Sequence, residues 1–226
     1  MTPNKEDYLK CIYELGEQHP KISNKMIAEH MHVSAPAVSE MIKKMIAQEW
    51  ITKDKSYGYK LRENGLQVVS DLYRKHRLIE VFLINQLGYT AEEVHDEAEV
   101  LEHTVSETFI NRLDKLLGFP KFCPHGGTIP RNGQTLVEEN KLMLSQISEP
   151  GEFVLSRVHD QYDLIKYLQS HHLTLNTHFT LKQIDHFAKT YTITYANHEL
   201  VLPENIANQL YVSYQNKESR SQVASL

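Results

Sequence analysis

Cysteine is nearly missing: Cys11 and Cys123 are the only two in 226 residues. That excludes a disulfide framework and suits a reducing compartment. Long hydrophobic runs are missing too. No apolar segment approaches the ~18 residues that cross a bilayer. Met1-Thr2-Pro3-Asn4-Lys5-Glu6-Asp7 lacks the basic-then-apolar layout of a secretory leader. The expectation is a cytoplasmic protein with no membrane partner. Positive charge is not in excess, and a formal net charge of −5 does not mark the whole chain as a nucleic-acid binder. There is no P-loop, HExxH helix or nucleophile elbow, and no internal repeat.

What is present is unevenly placed. Residues 1–72 carry ten basic and ten acidic side chains, and Lys43, Lys44, Lys53, Lys55, Lys60 and Arg62 crowd into twenty of them. A local basic face binds phosphates even on an acidic chain. Residues 5–17 read as a helix, with Tyr8, Leu9, Ile12, Tyr13 and Leu15 at helical spacing. After the break at His19-Pro20-Lys21, Ser23 or Asn24 caps a short helix carrying Met26, Ile27, Ala28 and Met31. His32-Val33-Ser34 turns the chain. Ser34 then caps a third helix with Pro36 in its first turn and a stripe of Val38, Met41, Ile42, Met45 and Ile46. Residues 51–61 read as two short strands around a polar tip. Helix, helix, tight turn, helix and basic hairpin is the order of a winged helix-turn-helix.

From Arg62 to Leu87 the chain is helical again. A further helix carrying Val94, Val100, Leu101, Val105 and Phe109 suits a helix-helix interface. A symmetric dimer is the natural use of one, because it reads two half-sites. Glycines and prolines punctuate residues 118–150, and a linker is placed at about 126–146. Beyond it, strands at 153–158, 179–184, 190–195 and 198–202, a helix at 163–169 and a short helix from Pro203 to Leu210 suggest a small barrel. The expected fold is mainly α with a small β domain. It comprises a winged helix-turn-helix domain (1–72), a helical dimerisation and metal-binding domain (73–145), a small barrel (146–215), which the family resemblance described below implies is SH3-like, and a flexible tail (216–226).

The densest chemistry lies in His95-Asp96-Glu97-Ala98-Glu99-Val100-Leu101-Glu102-His103. On a helix, His95, Glu99, Glu102 and His103 share one side. A solvated acidic face is the plain alternative for that stretch alone. A divalent cation would relieve the repulsion and give each group a partner. If the helix packs on the one near residue 76, His76 and Glu80 face the same point, and Asp7 on the first helix reaches it. The oxygen-rich set Asp7, Glu99, Glu102, His103 and His76 suits a hard ion such as Mn²⁺. Cys123-Pro124-His125 is a weaker signal, since a buried structural cysteine is the usual alternative. With Glu80 and a carboxylate such as Asp160 it would close a second, four-ligand site. Cys11 lies on an apolar stripe and reads as core.

These residues resemble the diphtheria-toxin-repressor family of metal-dependent transcriptional regulators, in its manganese-responsive, three-domain branch from Gram-positive bacteria. Glu6-Asp7-Tyr8-Leu9-Lys10-Cys11-Ile12-Tyr13-Glu14-Leu15, Val33-Ser34-Ala35-Pro36-Ala37-Val38-Ser39, Lys75-His76-Arg77-Leu78-Ile79-Glu80 and Val94 to His103 carry the resemblance, with Pro124-His125-Gly126 and Ile129-Pro130 extending it. It implies a homodimer whose DNA affinity is raised by metal, mainly a repressor of metal-uptake genes. It implies a primary site at Asp7, Glu99, Glu102 and His103 with His76 as a fifth ligand. It also implies an ancillary site at Glu80, Cys123, His125 and Asp160, where Zn²⁺ is admissible. Iron-type members carry sulfur ligands where this chain has Asp7 and Glu99, which favours Mn²⁺ over Fe²⁺. In those members His76 and His95 stand in the ancillary site, so both allocations of these two stay open.

At the N-terminal end of the recognition helix stand Ser34, Pro36, Ala37, Ser39 and Glu40. None is an Arg or Asn able to make a bidentate base contact, and Pro36 and Ala37 suit thymine methyls. The expected partner is a double-stranded operator, an A·T-rich imperfect palindrome read partly by shape. Lys43, Lys44, Lys53 and Lys55 would bind its phosphates. Two rival readings differ in class: a metal-dependent hydrolase, and a metal-independent repressor that senses a small molecule through the C-terminal barrel.

Overall fold

The structure is a computed structural model that describes residues 5–91 and 93–215; the tail expected at 216–226 lies outside the described residues. The chain forms two compact units. One runs to Ile79 and includes Ala98–Lys121 and Ile129–Val137; the other comprises Glu80–Glu97, Phe122–Thr128 and the chain from Glu138.

The first unit opens with α1 (Lys5–Gln18), α2 (Asn24–His30) and α3 (Ala35–Ala47). Both expected caps form. Ser23 Oγ accepts from the Met26 N–H at 3.3 Å and Ser34 Oγ from the Ala37 N–H at 3.4 Å, satisfying donors that a helix start otherwise leaves open. Leu9, Ile12, Ile27, Val38, Met45 and Ile51 are buried together. Cys11 lies in that core as expected, whereas Ile46, placed on the apolar stripe, is exposed. The strands β1 (Ile51–Asp54) and β2 (Gly58–Leu61) pair antiparallel, Ile51 opposite Leu61. Asp54 folds the tip by accepting the N–H groups of Ser56 and Tyr57 at 2.7 and 2.9 Å. This is the winged helix-turn-helix order.

The 25-residue helix α4 (Glu63–Leu87) follows, in agreement with the sequence. The single helix expected through Val105 and Phe109 is corrected to two, α5 (Val94–Glu102) and α6 (Glu107–Leu116). Ser106 Oγ accepts from the Phe109 N–H at 3.2 Å, so a new helix starts where apolar spacing alone reads continuation. Arg74 and Asp114 form a buried ion pair at 2.8 Å.

Residues 126–146 are irregular, but they are not a free linker. The Leu136 N–H donates to the buried Ser70 Oγ at 2.8 Å. In the second unit, Glu138 accepts from the Thr128 N–H at 2.9 Å and pairs with Arg157 at 3.0 Å. The Arg157 guanidinium lies 3.6 Å over the Tyr211 ring. That unit is built on β3 (Gly151–Val158), α7 (Tyr162–Ser170), β4 (His178–Asp185), β5 (Thr190–Tyr195), β6 (His198–Pro203), α8 (Glu204–Ala207) and β7 (Leu210–Tyr214). Its five strands are antiparallel in the order β6-β5-β4-β3-β7. Register shifts in β3 and β4 bend the sheet in the manner of bulges. The expected helix to Leu210 is corrected: α8 ends at Ala207, and Leu210 begins a strand that alternation did not reveal. In β7 Leu210, Tyr211 and Val212 are buried in succession, so the period-2 signal is lost.

Gly58 sits at φ +74°, and a Cβ there would lie 1.8 Å from the Ile22 carbonyl oxygen. Gly58→Ala should therefore destabilise the first unit by ~2 kcal/mol or more. A urea titration followed by the fluorescence of Trp50, the single tryptophan, measures this. Gly133→Ala, also at positive φ but with nothing within 4 Å of the added carbon, should cost less.

Candidate metal centre

Asp7 and Lys10 lie three apart on α1 and so share a face. Opposite them, within the same unit, stand Glu99 and Glu102 of α5 and His103 just beyond its end. His103 Nδ1 is 2.9 Å from Glu6 Oε2, and its Nε2 is 2.9 Å from Asp7 Oδ1 and 3.3 Å from Glu102 Oε1. A carboxylate beside Nδ1 that leaves Nε2 for a cation is the usual way a protein orients a metal-binding imidazole. A lone pair facing two carboxylate oxygens is favourable only with a cation or a proton among them.

Glu102 is the centre of the cluster and is fully buried. Its Oε2 meets His76 Nδ1 at 2.6 Å, while its Oε1 is buried without a well-formed hydrogen bond. An ionised oxygen in that condition is costly. The donor set of Asp7, Glu102 and His103, whose ligand atoms lie within 4.8 Å of one another, thus fits a divalent ion on structural grounds. Oxygen dominance fits a hard one.

Two features escaped the sequence reading. Glu6 supports His103, although it is adjacent to Asp7 in the chain. Lys10, which is nearly buried, puts its Nζ 2.5 Å from Glu99 Oε1 and 3.6 Å from Glu102 Oε1. Burial works against the ammonium, but the charges of Glu102, Glu14 and Glu99 outweigh it and hold the lysine above its usual pKa. The i, i+3 spacing from Asp7 is the one signal that could have drawn attention to it. Behind Lys10, Glu14 accepts from Tyr73 OH at 2.8 Å and faces His30 Nε2 of α2 at 3.3 Å. Burial would raise the Glu14 pKa, but the bond to His30 with the help of Lys10 and Tyr73 lowers it.

The second group lies in the other unit. Glu80, Cys123 and His125 are all buried, with ligand atoms within 4.8 Å. His125 Nδ1 is 3.2 Å from Glu80 Oε1 and 3.5 Å from Asp160 Oδ1. His95, whose allocation was open, pairs with Asp160 at 2.8 Å. The loop is held by a turn, Gly126 N–H to Cys123 O at 2.9 Å, and by Val158 N–H to His125 O at 3.0 Å. Thiolate, imidazole and carboxylate together suit a softer ion such as Zn²⁺.

On α3, Ser34, Pro36, Ala37, Glu40, Lys43 and Lys44 are exposed, as are Lys53 and Lys55 on the wing. Ser39 is more occupied than expected: its hydroxyl donates to Ala35 O and accepts from Asn24 Nδ2, both at 3.0 Å, and so ties α2 to α3. Glu40 and Lys44 form an exposed pair at 2.7 Å, which a phosphate can displace at little cost.

The sequence matches the iron-dependent repressor N-terminal DNA-binding domain over residues 1–58 and the iron-dependent repressor metal-binding and dimerisation domain over residues 62–131. It is 71% identical to the metal-dependent transcriptional regulator MtsR, whose crystal structure superposes with a TM-score of 0.88 over 95% of this chain and 100% of that one. The chain belongs to the diphtheria-toxin-repressor family. Residues 142–214 match the FeoA domain, which is the SH3-like part expected. The regulator ScaR with bound Zn²⁺ is 54% identical, with a TM-score of 0.90 over 94% of this chain and 100% of that one. The diphtheria toxin repressor of Corynebacterium jeikeium is 36% identical over 125 residues, 55% of this chain and 52% of the repressor. The match thus spans about half the length of that repressor.

His125 carries the clearest pH signature. Burial lowers its pKa, but hydrogen bonds to Cys123 and Glu80 and the charges of Asp160 and Glu80 raise it to about 11. A ligating imidazole must give up that proton. Zn²⁺ uptake at this group should therefore release at least one proton per ion at pH 7, and apparent affinity should rise at least tenfold per pH unit between pH 6.5 and 8. Calorimetry in buffers of different ionisation enthalpy measures the release; uptake without proton release would contradict the assignment.

Proposed function

We propose that this protein is a manganese-responsive transcriptional regulator, mainly a repressor of metal-uptake genes, whose operator binding is switched on by a divalent ion. Fe²⁺ is a second effector by the same donors, and Zn²⁺ suits the cysteine-containing group. The orientation of His103 carries the reading: Glu6 fixes its Nδ1 side and Asp7 and Glu102 face its Nε2 side. Asp7 belongs to the first helix of a winged helix-turn-helix and Glu102 to α5, so the donors span the junction that positions the reading head. Donors that join a DNA-binding helix to α5 favour a regulator over a hydrolase. Asp7, Glu99, Glu102 and His103, with His76 bonded to Glu102, form the primary site. Glu80, Cys123, His125 and Asp160 form the ancillary one.

The division proposed is residues 1–72 for DNA binding, 73–145 for dimerisation and metal, and 146–215 for the FeoA-like part. Phe109 and Leu116 of α6, both exposed, support a homodimer. No helix among the described residues is long and apolar enough to cross a membrane, in keeping with a cytoplasmic site of action. An ion bound by these donors offsets the negative charge of the carboxylates and fixes α1 against α5. Asp7 and His103 then hold the helix that carries the reading head, and ordering it beforehand lowers the cost of docking on DNA. A switch from mostly inactive to mostly active needs on the order of 3–5 kcal/mol of differential affinity. Ser34, Pro36, Ala37, Ser39 and Glu40 face the bases of an A·T-rich imperfect palindrome, and Lys43, Lys44, Lys53 and Lys55 its phosphates.

Mobility shifts titrated with Mn²⁺, Fe²⁺ and chelator test the switch. Asp7→Ala should lose metal-dependent operator binding and remain a dimer in sedimentation; unchanged Mn²⁺-dependent shifts in that variant would refute the proposal. Chelator-insensitive binding of the unaltered protein would favour the metal-independent reading. Lys44→Ala should weaken binding to all sequences alike and flatten the plot of log affinity against log salt by about one for each phosphate the side chain no longer neutralises.

A further inference from the structure

Helix α2, which stands beside α3 in the helix-turn-helix, is lightly anchored. It has seven residues and buries only Ile27; Met26 and Ala28 are partly covered. So small an apolar hold gives weight to the polar contacts at its two ends. At the first end, Asn24 Nδ2 donates to Ser39 Oγ of α3 at 3.0 Å. At the other, His30 Nε2 lies 3.3 Å from Glu14 Oε2 of α1. The Glu14 carboxylate is itself held from behind. Tyr73 OH of α4 donates to its Oε1 at 2.8 Å, and the Arg77 guanidinium lies 4.5 Å from the centre of the Tyr73 ring. His30 occupies the last turn of α2, where the helix dipole also favours a cation.

We propose that His30 and Glu14 form a proton-operated latch that fastens α2 to α1, closed when the imidazole is charged and released when it is neutral. Its effect on DNA rests on the regulator reading above; the latch itself does not. The surrounding charges agree with it. The bond to Glu14 and the Glu14 charge raise the His30 pKa, against partial burial and the charge of Lys10. Burial would raise the Glu14 pKa, but His30, Lys10 and Tyr73 lower it. Acids on the neighbouring faces are engaged elsewhere, Glu29 of α2 with Lys25 at 3.6 Å and Glu40 of α3 with Lys44 at 2.7 Å. A raised imidazole pKa adds stability that is complete below the ordinary value near 6.5 and is lost as pH climbs through the folded value. The lowered Glu14 pKa adds stability that is lost only as pH falls through its own folded value. The latch is therefore closed in mild acid and opens as pH passes the folded His30 value. With it open, α2 keeps Ile27 and the Asn24 bond, and the pair α2–α3 is less firmly set for DNA. Because His30 is partly exposed, solvent screens the pair, and the effect on an equilibrium constant is about two- to fivefold.

Urea unfolding of the chelator-treated full chain, followed by Trp50 fluorescence, reads the latch without metal. His30→Arg carries a cation at every pH, so its unfolding constant is the reference. Relative to it, the unaltered protein should unfold about two- to fivefold more readily at pH ~8.5 than at pH ~6. His30→Gln, which has no cation at either pH, should keep a constant ratio to His30→Arg. Proton NMR should place the His30 midpoint above that of a free histidine, and Glu14→Gln should bring it down. A ratio of unaltered protein to His30→Arg that does not change with pH would overturn the latch, as would a His30 midpoint unmoved by Glu14→Gln. In mobility shifts at saturating Mn²⁺, operator affinity should weaken relative to His30→Arg over the same pH range. Equal affinities of the two proteins at both pH values would overturn the effect on DNA. A pH-dependent gap in unfolding with no Mn²⁺-dependent operator binding at either pH would keep the latch and refute the regulator reading.

Discussion

A buried carboxylate needs cationic or hydrogen-bonding company, and Glu102 has to find it on three sides. His76 comes from α4, His103 from the end of α5 and Lys10 from α1. Removing any one leaves charge in a low-dielectric place, where the penalty is several kcal/mol. The three elements are therefore tied to one point. Because Leu9 and Ile12 of α1 are buried in one core with Ile27 of α2 and Val38 of α3, whatever happens at Glu102 is felt at the base of the helix-turn-helix. That mechanical link, and not the presence of acids as such, makes the cluster suitable for control of DNA binding.

The two donor groups differ in hardness and in how they are held. Around His103 the candidate donors are oxygen-rich and come from separate helices, so an ion bound there would act on the relation of α1 to α5. Around His125 a thiol joins imidazole and carboxylates, and a turn and a bond to β3 fix the loop. The proton on His125, stabilised by Cys123, Glu80 and Asp160, stands where a cation would bring positive charge. In both places the protein already answers its own carboxylates with a positive group, the Lys10 ammonium in one and the His125 imidazolium in the other. Metal affinity is consequently a contest between cations, not a simple attraction to acids.

Much of this was legible from local rules. Ser23 and Ser34 announced two helix starts, and the lysines beside a Gly-containing hairpin announced the wing. The i, i+3 and i+4 spacing of Glu99, Glu102 and His103 announced a shared face. The errors also have local causes. Ser106 broke a helix that apolar periodicity continued, since a single cap can outweigh a run of spacing. Strand β7 was hidden because consecutive buried residues carry no alternation. Residues 126–146 looked like a linker from their glycines and prolines, yet Leu136, Glu138 and Thr128 each have a specific partner.

What the chain order determined by itself was the kind of elements and the inventory of donors, because caps, turns and helical spacing act within a few residues. What only the tertiary structure decided was which donors meet. Glu6 and His103, Lys10 and Glu99, and His95 and Asp160 are 97, 89 and 65 positions apart. No local spacing encodes such pairs. They follow from helices packed to bury Leu9, Ile12 and Val69 and, in the other unit, from a loop seated against a strand. Apolar burial sets those placements first, and the charges then pair with whatever it brings within reach.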